Sequence, residues 1–246
     1  MPDDGGPLRF AVVCEAAGDQ RTACLLADRV AQNALSWLED HLLTSTRCWS
    51  GVQSGDAFLR WKTVHAAANR LGIVAHGHFS GEPGAPDARA ARRALLVLRA
   101  CDPPVVAAFL IRDSDNDLSR RTGLEQARAY CGWPFEVIVG VPHTKRECWL
   151  LAAFEPADGA EKTRLQSLRQ ELGFDPCEQP EKLTAKDDQA KRSAKRVWAT
   201  LLQADEERGL AGASLETLKK RGKLNGLADY LQELETRYVP LLRRNT

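Results

Sequence analysis

The chain of 246 residues lacks most of the signatures that assign a protein to a class at sight. Its seven cysteines (Cys14, Cys24, Cys48, Cys101, Cys131, Cys148 and Cys177) form no CxxC pair, which argues against a zinc site. Net charge is almost nil, with 34 Lys plus Arg against 33 Asp plus Glu, so any case for nucleic acid must come from local patches. No run of 18 apolar residues occurs, and the opening MPDDGGPLRF contains no signal-peptide hydrophobic segment. The expectation is a cytoplasmic protein with no membrane partner, whose cysteines serve as small buried hydrophobes. A GxxxxGK[ST] nucleotide loop is absent. So are internal repeats and long low-complexity tracts, and the 43% hydrophobic content is that of an ordinary globular chain.

What is present centres on Val105–Asp117, VVAAFLIRDSDND. An unalternating apolar run of strand length predicts a strand buried on both faces. It ends in three carboxylates at alternate positions: Asp113, Asp115 and Asp117. Open α/β sheets place their ligands at the carboxyl ends of strands. Carboxylates this close repel one another unless a proton or a hard cation such as Mg²⁺ intervenes. The competing reading is a solvated Asp/Ser/Asn turn. An EF-hand loop fits badly: counted from Asp113, its glycine and glutamate positions hold Leu118 and Leu124.

In chain order, Leu8–Cys14 predicts a first strand closed by Glu15, and Asp19 an N-cap for a helix from Gln20 to about Leu43. Thr44–Asp56 reads as a polar connection, and Phe58–Val64 is ambiguous between strand and helix. His76 and His78 stand two apart on an extended segment, a spacing open to metal binding or to ordinary polar roles. Helices are predicted over Asp87–Ala100, Leu118–Cys131 and Arg146–Phe154, with a strand at Phe135–Val141. This alternation implies α/β architecture: a Rossmann-like, mostly parallel sheet flanked by helices, over residues 1–156. Residues 157–246 read as a helical appendage, with helices at Glu161–Leu172, Asp187–Gln203, Leu215–Lys220 and Leu227–Tyr238. Within it, Lys182–Trp198 is basic, carrying Lys186, Lys191, Arg192, Lys195 and Arg196. Lys191 and Lys195 would share a helix face, either as a nucleic-acid contact or as a solvated surface.

CEAAGD at Cys14–Asp19, RDSDND at Arg112–Asp117 and GVPHTKRECWLLA at Gly140–Ala152, in that order, resemble the TOPRIM fold. The likeness covers about Arg9–Ala153 and extends to OLD-type nucleases and small bacterial TOPRIM-like proteins. Ala16 departs from the common Glu-Gly pair of the first motif. The resemblance implies Mg²⁺ (or Mn²⁺) held by Glu15, Asp19, Asp113, Asp115 and Asp117, with Glu147 as a further ligand or a support for one. It implies a lysine beside the metals, met here by Lys191 or Lys195. It also implies phosphodiester hydrolysis on nucleic acid, DNA first, and compatibility with an oligomer and with a separate partner ATPase in anti-phage defence. Strand transfer would require a nucleophilic tyrosine, and Tyr130, Tyr230 and Tyr238 all lie in predicted helices beyond the sheet. Two other functions compete. One is a non-catalytic TOPRIM-like subunit binding nucleic acid or a protein. The other is a Mg²⁺-dependent phosphatase, which the order of motifs disfavours because the first strand ends in a single Glu15.

Overall fold

The apolar runs become strands whose side chains are removed from water on both faces. The computed structural model describes residues 6–53, 55–201 and 207–243. Its first half contains β1 (Leu8–Cys14), α1 (Ala17–Ala34), α2 (Leu43–Thr46), β2 (Arg47–Ser50), β3 (Leu59–Arg60) and α3 (Val64–Arg70). A small hairpin of β4 (His78–Phe79) and β5 (Glu82–Pro83) leads to α4 (Ala88–Arg99), β6 (Ala107–Ile111), α5 (Ser119–Ala129) and β7 (Glu136–Gly140). Then follow α6 (Glu147–Ala153), α7 (Gly159–Leu172), α8 (Ala194–Leu201), α9 (Arg208–Gly212), α10 (Leu215–Arg221) and α11 (Leu227–Glu233). A π-helical turn at Leu234–Tyr238 joins α11 to α12 (Val239–Arg243).

Among the described residues the main sheet has five strands, ordered β2-β1-β6-β7, with β3 also paired to β1. Every pairing in it is parallel. β2 lies along the first half of β1 (Leu8↔Arg47 to Ala11↔Ser50), and β3 along its end (Cys14↔Arg60). All five residues of β6 are buried, as a parallel strand covered on both faces requires. The architecture is α/β, Rossmann-like and mostly parallel, with flanking helices.

The chain forms two compact units, divided differently from the expected boundary near residue 156. The first takes the chain up to Arg112, then Ser119–Gly140, and resumes at Gln232; the second takes Asp113–Leu118 and Val141–Leu231. The last helices belong with the sheet for a packing reason. Tyr238 is fully buried with its ring 5.0 Å from Phe10, 5.5 Å from Phe109 and 5.8 Å from Trp49, three residues from adjacent strands. The open edge of β7 is occupied by Glu233, whose carboxylate accepts from Val139 N at 3.3 Å and from Arg128 at 2.7 Å. Gly123 in α5 lies against the segment that opens α4, where a Cβ would come within 1.9 Å of the Pro86 carbonyl oxygen.

Three local expectations need correction. The first helix stops at Ala34, not near Leu43, because Leu35 turns extended and the chain folds back to bury Leu35 and Leu38. The connection at Thr44–Asp56 contains β2, anchored to α1 by a two-bond Arg47–Asp28 ion pair at 2.6 and 2.7 Å. The basic helix expected over Asp187–Gln203 begins only at Ala194; its predicted end, Gln203, lies outside the described residues. Turns precede it, and buried Ser193 accepts from Arg196 N at 3.3 Å as its cap. Four cysteines are buried, Cys48 is exposed, and all seven are free thiols. No helix among the described residues is long and apolar enough to cross a membrane.

Candidate functional site

The register of β1 with β6 (Val13↔Leu110) brings their carboxyl ends level, so Glu15 and Arg112 emerge from neighbouring strands. The Arg112 guanidinium bonds the Glu15 carboxylate and, through Nε, the Asp87 carboxylate at 3.1 Å. Arg120 approaches Asp87 at 3.6 Å. Trp61 donates from Nε1 to Ile111 O at 2.7 Å, and Arg112 stands 5.9 Å from the centre of its ring. Glu15, Trp61, Lys62, Asp87, Ala90 and Arg112 line a cavity of about 400 Å³ in the first unit. Neither Arg112 nor Asp87 stood out in the sequence as a site residue, although Arg112 sits directly before the acidic motif. Asp19 occupies the first turn of α1 rather than its cap, and its carboxylate accepts from Ala16 N at 2.9 Å.

The acidic loop itself belongs to the second unit. Ser114 N donates to Pro142 O and Asp115 N to Thr144 O, both at 2.9 Å, and Asp117 N to Ser114 O at 2.8 Å. Asp115 and Asn116 take left-handed backbone (φ 47° and 67°), which short polar side chains tolerate better than most. Asn116 Nδ2 donates to Thr184 O at 2.9 Å. Ser114 Oγ pairs with His143 Nδ1 at 2.8 Å, and His143 N donates to Asn225 O at 2.9 Å. Burial holds the His143 pKa below its usual value, the nearby Glu181 opposing the shift, so the ring is neutral at pH 7. Asp113 and Asp115 are half-buried, whereas Asp117 is exposed.

Around this loop the second unit gathers further charges. Asp188 accepts from Lys145 at 2.9 Å and from Lys195 at 3.0 Å. The Lys195 ammonium is raised above its usual pKa, chiefly by the hydrogen bond to Asp188 and then by the charges of Asp188, Glu147 and Asp113. The two lysines in turn hold Asp188 below the usual carboxylate range. Glu147 opens α6 with its side chain only 12% exposed, 3.9 Å from Arg146.

Of the basic set, Lys195 joins this cluster. Lys191 precedes α8 instead of sharing its face with Lys195, and is exposed. Lys186 and Arg192 are exposed, Arg192 lying 5.9 Å from the Phe174 ring. Arg196 pairs with Glu171 at 2.9 Å. His76 and His78 are both exposed.

No protein-family model, curated protein or solved structure matches this chain. The residues themselves must therefore carry the chemistry. Among the described residues no group of three or more His, Cys, Asp or Glu side chains could hold a metal ion. Glu15 and Asp19 lie in the first unit; Asp113, Asp115, Asp117 and Glu147 lie in the second.

Proposed function

We propose that this chain is a divalent-cation-dependent phosphodiesterase acting on nucleic acid, DNA first, with Asp113, Glu147 and Lys195 as its working groups. One observation carries the reading. The Asp188 carboxylate joins Lys145, just before α6, to Lys195 of α8 at 2.9 and 3.0 Å in the second unit, and Glu147 and Asp113 are among the charges that raise the Lys195 pKa. When bound, Mg²⁺ or Mn²⁺ supplies water activation and stabilisation of the leaving oxygen. Asp113 and Glu147 would hold it, two carboxylates being within what Mg²⁺ commonly takes. Lys195 has a raised pKa and so keeps its proton through the neutral range. It serves as a fixed positive charge for the phosphate and not as a base. Asp188 fixes the Lys145 and Lys195 ammoniums in place. The partner ATPase and the place in anti-phage defence rest on the TOPRIM resemblance and belong to the same proposal.

The Arg112 bond to Glu15 favours a second reading, a non-catalytic subunit that binds nucleic acid or a protein. Incubation of plasmid DNA and of RNA with Mg²⁺ or Mn²⁺ separates the two. The hydrolytic reading predicts cleavage that EDTA stops and that Asp113→Ala slows at least about a hundredfold. Binding without cleavage by the wild-type chain selects the non-catalytic reading.

A further inference from the structure

The segment that holds His143, and through it the acidic loop, ends in a tip that the hydrolytic reading does not use. α10 closes with Lys219, Lys220 and Arg221, and α11 begins at Leu227. Between them runs Gly222-Lys223-Leu224-Asn225-Gly226. The base of this turn is fixed. Asn225 is fully buried; its backbone oxygen accepts from His143 N and from Trp149 Nε1, each at 2.9 Å. Its Nδ2 donates to Cys148 O at 3.3 Å and Arg221 O at 3.4 Å, and its Oδ1 accepts from Leu227 N at 3.0 Å. Gly226 adopts φ 80° so close to Val141 that a Cβ would stand 2.2 Å from the carbonyl oxygen. Arg221 is turned inward, to Glu178 at 2.7 Å and to the Phe154 carbonyl at 3.3 Å.

The tip is the reverse of its base. Lys220 and Lys223 are exposed, and Leu224 is 69% exposed. A lone exposed leucine is ordinary on a protein surface. Leu224 differs in its mounting: the buried Asn225 next to it prevents the turn from folding the apolar side chain away, and cations stand nearby. Such a tip is already ordered, so binding loses little conformational freedom there. Proteins that kink duplexes insert apolar side chains between base steps while basic residues engage the flanking phosphates.

We propose that the turn at residues 222–226 contacts duplex DNA, with Lys220 and Lys223 on phosphates and Leu224 wedged into a base step. This rests on the hydrolytic reading and refines it by naming a double-stranded, locally unstacked substrate. Through Asn225, His143 and Ser114, the wedge and the acidic loop form one connected piece of the second unit.

The test uses the full chain in EDTA, so no hydrolysis is needed, and short DNA and RNA duplexes carrying 2-aminopurine. The double variant Lys220→Ala/Lys223→Ala should flatten the salt dependence of DNA binding by about two in log–log slope. Leu224→Ala should weaken DNA binding about tenfold and abolish the 2-aminopurine fluorescence rise, while Leu224→Met retains both. Thermal unfolding should match wild type in every variant, since the replaced side chains are exposed. An unchanged salt slope, an unchanged fluorescence response in Leu224→Ala, or binding to RNA duplex alone overturns the proposal. So does loss of self-association in Leu224→Ala with DNA binding intact. Cleavage with unaffected tip variants removes only the wedge; a working wedge without cleavage in Mg²⁺ removes only the hydrolytic reading.

Discussion

Replacing Asn225 with alanine should destabilise the second unit by about 2–4 kcal/mol. The substitution deletes three side-chain hydrogen bonds in a fully buried position. The bond from Leu227 N is short at 3.0 Å, and losing it strands a buried donor at the start of α11, a cost of about 1–3 kcal/mol. The two Nδ2 bonds are long at 3.3 and 3.4 Å, so each counts near the low end of the usual net range, roughly 0.5 kcal/mol. Bonds made by the Asn225 backbone oxygen survive the change. For a chain of this size the loss corresponds to a Tm decrease of about 4–16 °C. Differential scanning calorimetry of wild type and variant at pH 7 reads it directly. A decrease under 2 °C would refute the reasoning, because it would mean that the buried amide is not holding the turn.

Gly123→Ala should lower the urea midpoint, because the new methyl collides with the Pro86 carbonyl and overpacking of this kind costs about 1–3 kcal/mol, more than the roughly 1 kcal/mol gain in helix propensity; a raised midpoint would contradict the packing described for α5. Glu161 is held below the usual carboxylate range, first by its hydrogen bonds to Arg208 at 2.8 and 3.0 Å. A depressed folded-state pKa contributes stability that is fully present above the unfolded value, about 4.3, and is lost as pH falls through the folded value. Denaturation midpoints from pH 7 to pH 2 should therefore converge for wild type and Glu161→Gln at the acid end, and a constant gap would remove the ion pair from the acid response.

Unalternating hydrophobicity made the sheet legible. The run 105–111 has no polar residue at which a second face could be solvated, and 135–141 has only Glu136, at the start of its strand; both are buried parallel strands. β2 was not legible, because Arg47-Cys48-Trp49-Ser50 is strand-forming only through what it touches: β1 on one side and the Asp28 carboxylate beneath. The start of α8 was misjudged because the periodicity of Ala190, Ala194, Val197 and Trp198 continues back through a turn, whereas Ser193 caps the helix. Asp113, Asp115 and Lys195 were visible as chemistry-bearing types at strand and helix ends. Arg112 and Asp87 were not, since the role of a guanidinium between two carboxylates depends on distances that sequence spacing does not encode.

The central claim is that Asp113 and Lys195 act on one phosphodiester. The most direct measurement is single-turnover cleavage of a DNA duplex in Mg²⁺ by wild type, Asp113→Ala, Lys195→Ala and the double variant, with binding measured in parallel. Groups that serve one transition state are strongly non-additive. The account predicts that each single variant loses cleavage while DNA binding changes little, and that the double variant is barely slower than the slower single one. Rate losses that multiply in the double variant, or full cleavage by Asp113→Ala, would contradict it.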